Sequence, residues 1–457
     1  MPHAPAESDS VAVLVLKKLL RRALAGAILA ILALAAYVVV RLGPHAWSRP
    51  VVSKDLVGSI NKLRVRPGVP TAWPLYRSAF AKLPSIRDTA IGPLPEDPEW
   101  PAFTAWLVEH HEGVEALRRA AMVPELGVAL GDPESAVPEL GRGIPPSAED
   151  AVRDQKLPWL VALRASARAL AGEALRRAQA GDVDGAIRFI EGTLGIAFQL
   201  REGLEIEQLV GCSVFTLAAG VVGKIAAIET LAMTPNQRSR INKLFAEFDG
   251  GAPWRPDFRQ EALSFEDVLQ RAYSDSGDAG IMTVEGSRLV DRWVPGEPEE
   301  GPDVGFVKRL LRSARMPRRG VERAEYERRR ELLDRLFDGT PRPSNWRAEF
   351  DQHVEGGRYC IAPFLGPAEN IVDVADKLLA VRTSVPVVLA LQAHRQRTGA
   401  WPASLGELVP SEIVAVQREP VPENTLDYSL EDGKPLLTVT NRHGAHALLG
   451  KAPSEHP

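Results

Sequence analysis

The sequence predicts a mostly α-helical protein: an N-terminal transmembrane helix, a bundle of helical hairpins, and a small α+β C-terminal module containing a β-hairpin. Three observations predict it. Eighteen uncharged residues, Ala23 to Val40, stand between Arg22 and Arg41. Apolar residues then recur at spacings of three and four through the middle of the chain, the signature of amphipathic helices. Strand-like alternation is confined to Leu426–Leu430 and Leu436–Thr440.

The apolar stretch comes first. At a helical rise of about 1.5 Å per residue, residues 23–40 reach roughly 27 Å, close to the hydrocarbon thickness of a bilayer. Lys17, Lys18, Arg21 and Arg22 precede the span, whereas Arg41 and Arg49 follow it. This bias keeps residues 1–22 in the cytoplasm and carries the bulk of the chain across, and the expected location is the bacterial inner membrane, single-pass, with the bulk of the chain in the periplasm. The four basic residues also share a helix face opposite Val13, Leu16, Leu19 and Leu20, and that face can lie on anionic headgroups. A cleaved signal peptide, with Ala33-Leu34-Ala35 as its small-residue pattern, and a buried soluble helix are the alternatives.

The composition of the rest is that of a folded chain. With 457 residues, 45% hydrophobic and 25% charged, it is long enough for two or three domains. A formal charge of -4 gives no whole-chain case for nucleic-acid binding. Cys212 and Cys360 are the two cysteines, and Cys212 lies in an apolar run where a buried free thiol is expected in preference to a disulfide.

Residues 41–98 read as a Pro-rich membrane-proximal segment with two short helices, Asp55–Leu63 and Leu75–Leu83. Residues 99–350 read as an α-helical domain. Glu99 to Ala121 is expected as one amphipathic helix carrying Phe103, Trp106, Leu107, His110, Val114 and Leu117. Adjacent His110 and His111 point about 100° apart and cannot serve one metal from a single face, so no zinc site is predicted. Leu157–Ala180 and Val183–Ala197 form an antiparallel pair, with Gly181 ending the first helix and Asp182 capping the second. The turn Ala178-Gln-Ala-Gly-Asp-Val-Asp-Gly-Ala-Ile resembles the Ala-x-x-Gly-Asp-x-x-x-Ala junction of tetratricopeptide repeats, but occurs once. It also half-matches a calcium loop that would open on Ala180, which offers no side-chain oxygen.

Leu204–Ala232 is the expected heart of the soluble part. Leu209 to Gly223 carries no charge and is apolar on every side, yet is too short and too rich in Gly, Ser and Thr for a second span. Thr234-Pro235-Asn236-Gln237 opens the next helix, and Phe258–Tyr273 forms another. Between Lys308 and Arg330 many arginines interleave with Glu322, Glu325, Glu327 and Glu331, which predicts a solvated, salt-bridged helix, with a phosphate or anionic-polymer site as the alternative.

The last unit is expected at residues 370–440, followed by a flexible tail, 441–457. It has a long helix, Asp373–Arg397, interrupted by Pro386 and ended by Gly399. Trp401-Pro402-Ala403-Ser404-Leu405-Gly406-Glu407-Leu408 then leads to two strands joined through Glu431-Asp432-Gly433-Lys434. Over Val374–Thr440 this order resembles the globular portion of type II secretion pseudopilins, and the tail of uncharacterised bacterial envelope proteins that carry such a module behind a single anchor. The pseudopilin Gly-Phe-Thr-Leu-x-Glu processing motif does not precede Ala23, and Arg418-Glu419-Pro420-Val421-Pro422 stands where that family has Asp-Pro-aromatic. The resemblance therefore implies a small helix-plus-hairpin module and carries over no catalytic residue.

Function follows only in outline. No catalytic residues, cofactor site or metal site is predicted, because nucleophile elbow, phosphate loop and zinc motifs are all missing from the sequence. The expectation is a non-catalytic scaffold or interaction protein of the cell envelope, held in the bilayer by residues 23–40 and binding an envelope protein. The alternatives are a hydrolase whose site is assembled from distant residues such as His110, His353, Glu369 and Asp373, and a sensor or assembly factor signalling through the span.

Overall fold

The expected span is the middle of a longer helix, α1 (Ser8–Trp47), whose most apolar window has a mean hydropathy of 2.7 and is 0% buried. The computed structural model describes residues 8–83, 95–133, 151–155, 157–247, 254–275, 277–293, 305–337, 345–348, 368–409, 412–413, 425–441 and 444–450. Side chains 16–41 of α1 are all exposed, and exposure first falls at 42, 43, 45 and 46. The helix is therefore long and apolar enough to cross a membrane, with its lipid-compatible surface uncovered.

Two compact units follow, each built from discontinuous chain. One comprises residues 1–53, 269–328 and 354–364, the other 54–268, 329–353 and 365–457. These units cut across the boundaries expected at 41–98, 99–350 and 370–440. Hydrophobic periodicity is a local signal and does not say which distant segments share a core.

The larger unit begins with α2 (Leu56–Arg64), capped by Asp55, and α3 (Trp73–Phe80). The helix expected at Glu99–Ala121 is two: α4 (Trp100–Glu109) and α5 (His111–Ala121), separated at His110 with φ -103° and ψ 24°. The break has a packing cause. Both halves touch α6 (Pro158–Gln179), but α5 lies also on α3 and on α7 (Val183–Leu200), so the two halves meet different sets of neighbours.

The pair α6 and α7 is the expected hairpin. Asp182 accepts the Gly185 N–H at 2.8 Å and pairs with Arg177, which also binds Glu173 on α6. Residues that a calcium loop would need are already helical from Val183 onward. The hairpin's likeness to a tetratricopeptide repeat rests on its turn sequence alone.

Helix α8 (Glu205–Ala227) is the central element. α6, α7, α14 (Ala368–Thr398) and strand β3 (Gly444–Leu449) pack around it, and Phe215, Ala218 and Val222 have no exposed surface. A helix apolar on every side needs cover on every side. That requirement draws the C-terminal module into the same hydrophobic core as α2–α8, where Leu378, Val381, Leu391 and Leu437 join Ile190 and Val214. α9 (Pro235–Ala246) begins with the predicted capping box, Thr234 with Gln237.

The C-terminal strands are β1 (Thr425–Glu431), β2 (Lys434–Asn441) and β3, in antiparallel order β1-β2-β3. Asp432 (φ 52°) and Gly433 (φ 72°) form the left-handed two-residue turn that the Asp-Gly pair favours. Within the expected flexible tail at 441–457, residues 444–449 form β3, while residues 451–457 lie outside the described residues. The Ala-His-Ala-Leu-Leu run of β3 lacks β-branched residues and gives little strand signal, but Leu448 and Leu449 are buried against α8. At Gly223 a β-carbon would stand 1.5 Å from the Leu448 carbonyl oxygen, so the helix is bare there to let the strand approach. Pro386 lies inside α14 and does not end it.

In the smaller unit, α11 (Val284–Trp293) and α12 (Phe306–Arg315) pack together, and α12 packs on α1. His45 Nδ1 lies 2.8 Å from the Met282 carbonyl oxygen, and the Val51 N–H donates to Tyr273 O at 3.2 Å, fixing the end of α1 to this unit. α10 (Arg259–Ala272) and α13 (Arg319–Leu336) each run across the division. On α13 the expected salt bridging is present, with Arg328 pairing Glu325 at 2.8 Å, but solvation is confined to the face of Glu327 and Arg328: Arg319, Glu322, Glu325 and Arg329 are buried. Together with Tyr326, Leu333 and Leu336 they form one inward stripe at helical spacing, its charges of both signs engaged in contacts.

Candidate functional site

The larger unit holds a cleft of about 470 Å³ between α2, the chain after α5, α7 and the start of α8. Its floor is polar and fully built. Arg64, the last residue of α2, reaches Glu207 on the first turn of α8 with two hydrogen bonds, Nη1 to Oε2 at 2.6 Å and Nη2 to Oε1 at 2.7 Å. Glu207 also accepts from Trp159 Nε1 at 2.9 Å and from the Leu204 N–H at 2.8 Å. The guanidinium completes its set with the Val128 carbonyl at 2.8 Å and Gln260 Oε1 at 3.0 Å, and stacks 5.3 Å from the Trp159 ring.

Both charges are almost dry, with side-chain exposures of 5% for Arg64 and 1% for Glu207. Burial pushes the Glu207 carboxyl up, but the Arg64 charge and the hydrogen bonds from Arg64, Leu204 and Trp159 outweigh it and hold the group below the usual carboxylate range. Four donors saturate this carboxylate. It is a structural clamp rather than a base waiting for a proton.

The walls are different. Gln199 on α7 donates to Ala120 O at 3.0 Å and Val123 O at 2.6 Å and accepts from the Tyr76 hydroxyl at 2.8 Å, holding the chain after α5 in place. Burial raises the Tyr76 phenol well above its ordinary value, with the Gln199 bond opposing. Glu125 pairs with Arg66 through Oε1, while its Oε2 is buried and has no hydrogen-bond partner among the described residues. Met122, 46% exposed, supplies an apolar lip. Outside the Arg64–Glu207 pair the lining holds Arg66 and Arg201 against Glu125, Glu191, Glu202 and Glu247, an excess of two negative charges.

Of the residues named for a hydrolase, His110 and Asp373 do not line this cleft. His110 stacks on Trp106 at 5.0 Å, with Nδ1 3.0 Å from the Trp106 carbonyl, in a packing role. Asp373 pairs with Arg347 at 3.4 Å. His353 and the Glu369 side chain lie outside the described residues, as does Cys360. Cys212 is a buried free thiol, its pKa pushed up to about 12 by burial. Among the described residues no group of three His, Cys, Asp or Glu is placed to hold a metal ion.

The sequence reading missed Arg64, Glu207 and Trp159 entirely. A weak signal existed: Glu207 is the last charge before the long uncharged run of α8, and an acidic residue at the third position of a helix caps its start. Nothing local marks Arg64 as its partner. No protein-family model matches the chain, and neither a curated protein nor a solved structure proves similar to it.

Proposed function

We propose that this chain is a membrane-anchored interaction protein of the bacterial cell envelope that uses the cleft beside α5 and α7 to hold a segment of a partner protein. The observation that carries the reading is α1, a helix of spanning length and apolarity with no buried surface along its apolar window. The basic bias before residue 23 favours a cytoplasmic N-terminus and a periplasmic bulk.

The cleft supports the binding role by its chemistry. The Glu207 carboxylate on its floor is saturated by four donors and serves to hold the cleft together. Its surplus negative charge, the unsatisfied Glu125 Oε2 and the exposed Met122 fit a partner segment presenting one basic and one apolar side chain. The helix-plus-hairpin module resembling pseudopilins is consistent with an envelope setting.

Affinity capture of the full chain from detergent-solubilised membranes, followed by mass spectrometry, tests the reading. Met122→Lys and Glu125→Gln change the cleft without touching its clamp. Envelope proteins captured by the native chain should be depleted roughly tenfold by Met122→Lys, as expected when a contact worth about 1.4 kcal/mol is lost. An identical set from native and variant chains removes the cleft from the function.

A further inference from the structure

Helix α12 is built the wrong way round for a helix that merely packs on its neighbours. Its sequence, Phe306-Val-Lys-Arg-Leu-Leu-Arg-Ser-Ala-Arg315, places Phe306, Val307, Leu310, Leu311 and Ala314 on one arc and Lys308, Arg309, Arg312 and Arg315 on the other, with no acidic residue. The fully buried residue is Ser313, whose hydroxyl donates to Leu310 O at 2.9 Å. Phe306, Val307 and Leu311 remain 56%, 64% and 41% exposed. Much of the apolar arc thus faces outward.

The position of α12 says what covers that arc. It packs on α1, and the residues of α1 that lose exposure are 42, 43, 45 and 46, immediately beyond the stretch sized for the hydrocarbon core. Just past the span in sequence, Trp47, 75% exposed, and Val51 and Val52, 41% and 54% exposed, add further uncovered apolar side chains. A tryptophan just past an apolar span is at home among lipid headgroups, and a short helix with apolar and cationic arcs lies in that same layer.

We propose that α12 rests in the headgroup layer of the bilayer that α1 crosses, with Phe306, Val307 and Leu311 dipping toward the acyl chains and the flanking Lys308, Arg312 and Arg315 facing anionic lipid phosphates. This deepens the membrane-anchor reading and rests on it. The two arcs meet at Leu311 and Arg315, which matches the boundary between acyl chain and phosphate. Charges so far along the chain do not count toward the orientation set by the residues flanking the span, so a basic helix on the translocated side is compatible with it.

The test uses the full-length chain with Cys212→Ala and Cys360→Ala, reconstituted into phosphatidylcholine vesicles with or without phosphatidylglycerol. An environment-sensitive fluorophore is attached at Val307→Cys, at Leu311→Cys or, separately, at Ile31→Cys, and quenched by lipids carrying a nitroxide either near the headgroup or deep in the acyl chain. The Ile31 label should be quenched by the deep nitroxide. The Val307 and Leu311 labels should be quenched by the shallow one, roughly twofold or more strongly when anionic lipid is present. Quenching at Ile31 without quenching at Val307 and Leu311 overturns the placement of α12 and leaves the anchor standing. No quenching at Ile31 overturns the anchor and this proposal with it. Equal quenching in neutral and anionic vesicles overturns the role given to the basic residues.

Discussion

The contacts around Glu207 show why single residues dominate the energetics of the cleft floor. An isolated carboxylate at this depth would be very costly to desolvate, and it persists because an arginine fork and two N–H donors meet it. Arg64→Ala leaves that charge uncompensated and should destabilise the larger unit by roughly 3–5 kcal/mol, read from the midpoint of urea unfolding followed by tryptophan fluorescence. Arg64→Lys should recover part of the loss at most, since an ammonium cannot reproduce the two-pronged contact. The pH dependence has a definite sign. Because the folded pKa of Glu207 is depressed, its contribution is fully present above the unfolded carboxylate pKa, near 4.3, and is lost as pH falls through the lower folded value. Glu207→Gln should therefore flatten the acid limb of the stability profile below about pH 4.3. Cys212, with its thiol pushed up to about 12, should resist maleimide in the native chain and react on unfolding. The sequence marked Cys212 as buried because it lies in an uncharged, largely apolar run, whereas the partnership of Arg64 with Glu207 spans 143 positions and nothing local marks it.

At the scale of elements, what was legible is what depends on short-range pattern. The α6–α7 hairpin, the Thr234 cap and the Asp432-Gly433 turn each follow from residues within a few positions of one another, and each is where the pattern puts it. The break at His110, the buried stripe of α13 and the strand β3 were not legible, because each answers a distant surface. β3 exists because β2 has a second edge to pair and α8 a face to cover. Gly223 makes this testable: Gly223→Ala drives a methyl group into the Leu448 carbonyl, and neither backbone can yield cheaply. The substitution should cost about 1–3 kcal/mol despite the better helix propensity of alanine, and the loss should appear as faster amide exchange in β3 before the rest of the sheet. Asp182→Ala, by contrast, removes an exposed cap and should cost only about 1 kcal/mol in the same unfolding assay.

Across the whole molecule, the division into two units is the least sequence-legible feature, since residues 1–53 share a unit with residues 269–328 and skip everything between. The cleft inherits that opacity: its wall residues come from α2, the segment after α5, α7 and α8, and only the fold makes them neighbours. The span is the opposite case, written in eighteen consecutive residues, because a bilayer imposes its requirement on contiguous sequence. Its orientation is a matter of charge, and charge can be moved. In the native chain a C-terminal alkaline phosphatase fusion should be active and a C-terminal cytosolic fluorescent reporter dark. Replacing Lys17, Lys18, Arg21 and Arg22 by glutamine while adding lysines after Arg41 should reverse the pair in part of the population, since the flanking basic residues set the bias. A bright reporter on the unaltered chain would put the cleft and α12 on the cytoplasmic side and would exclude periplasmic partners, whatever the cleft proves to bind.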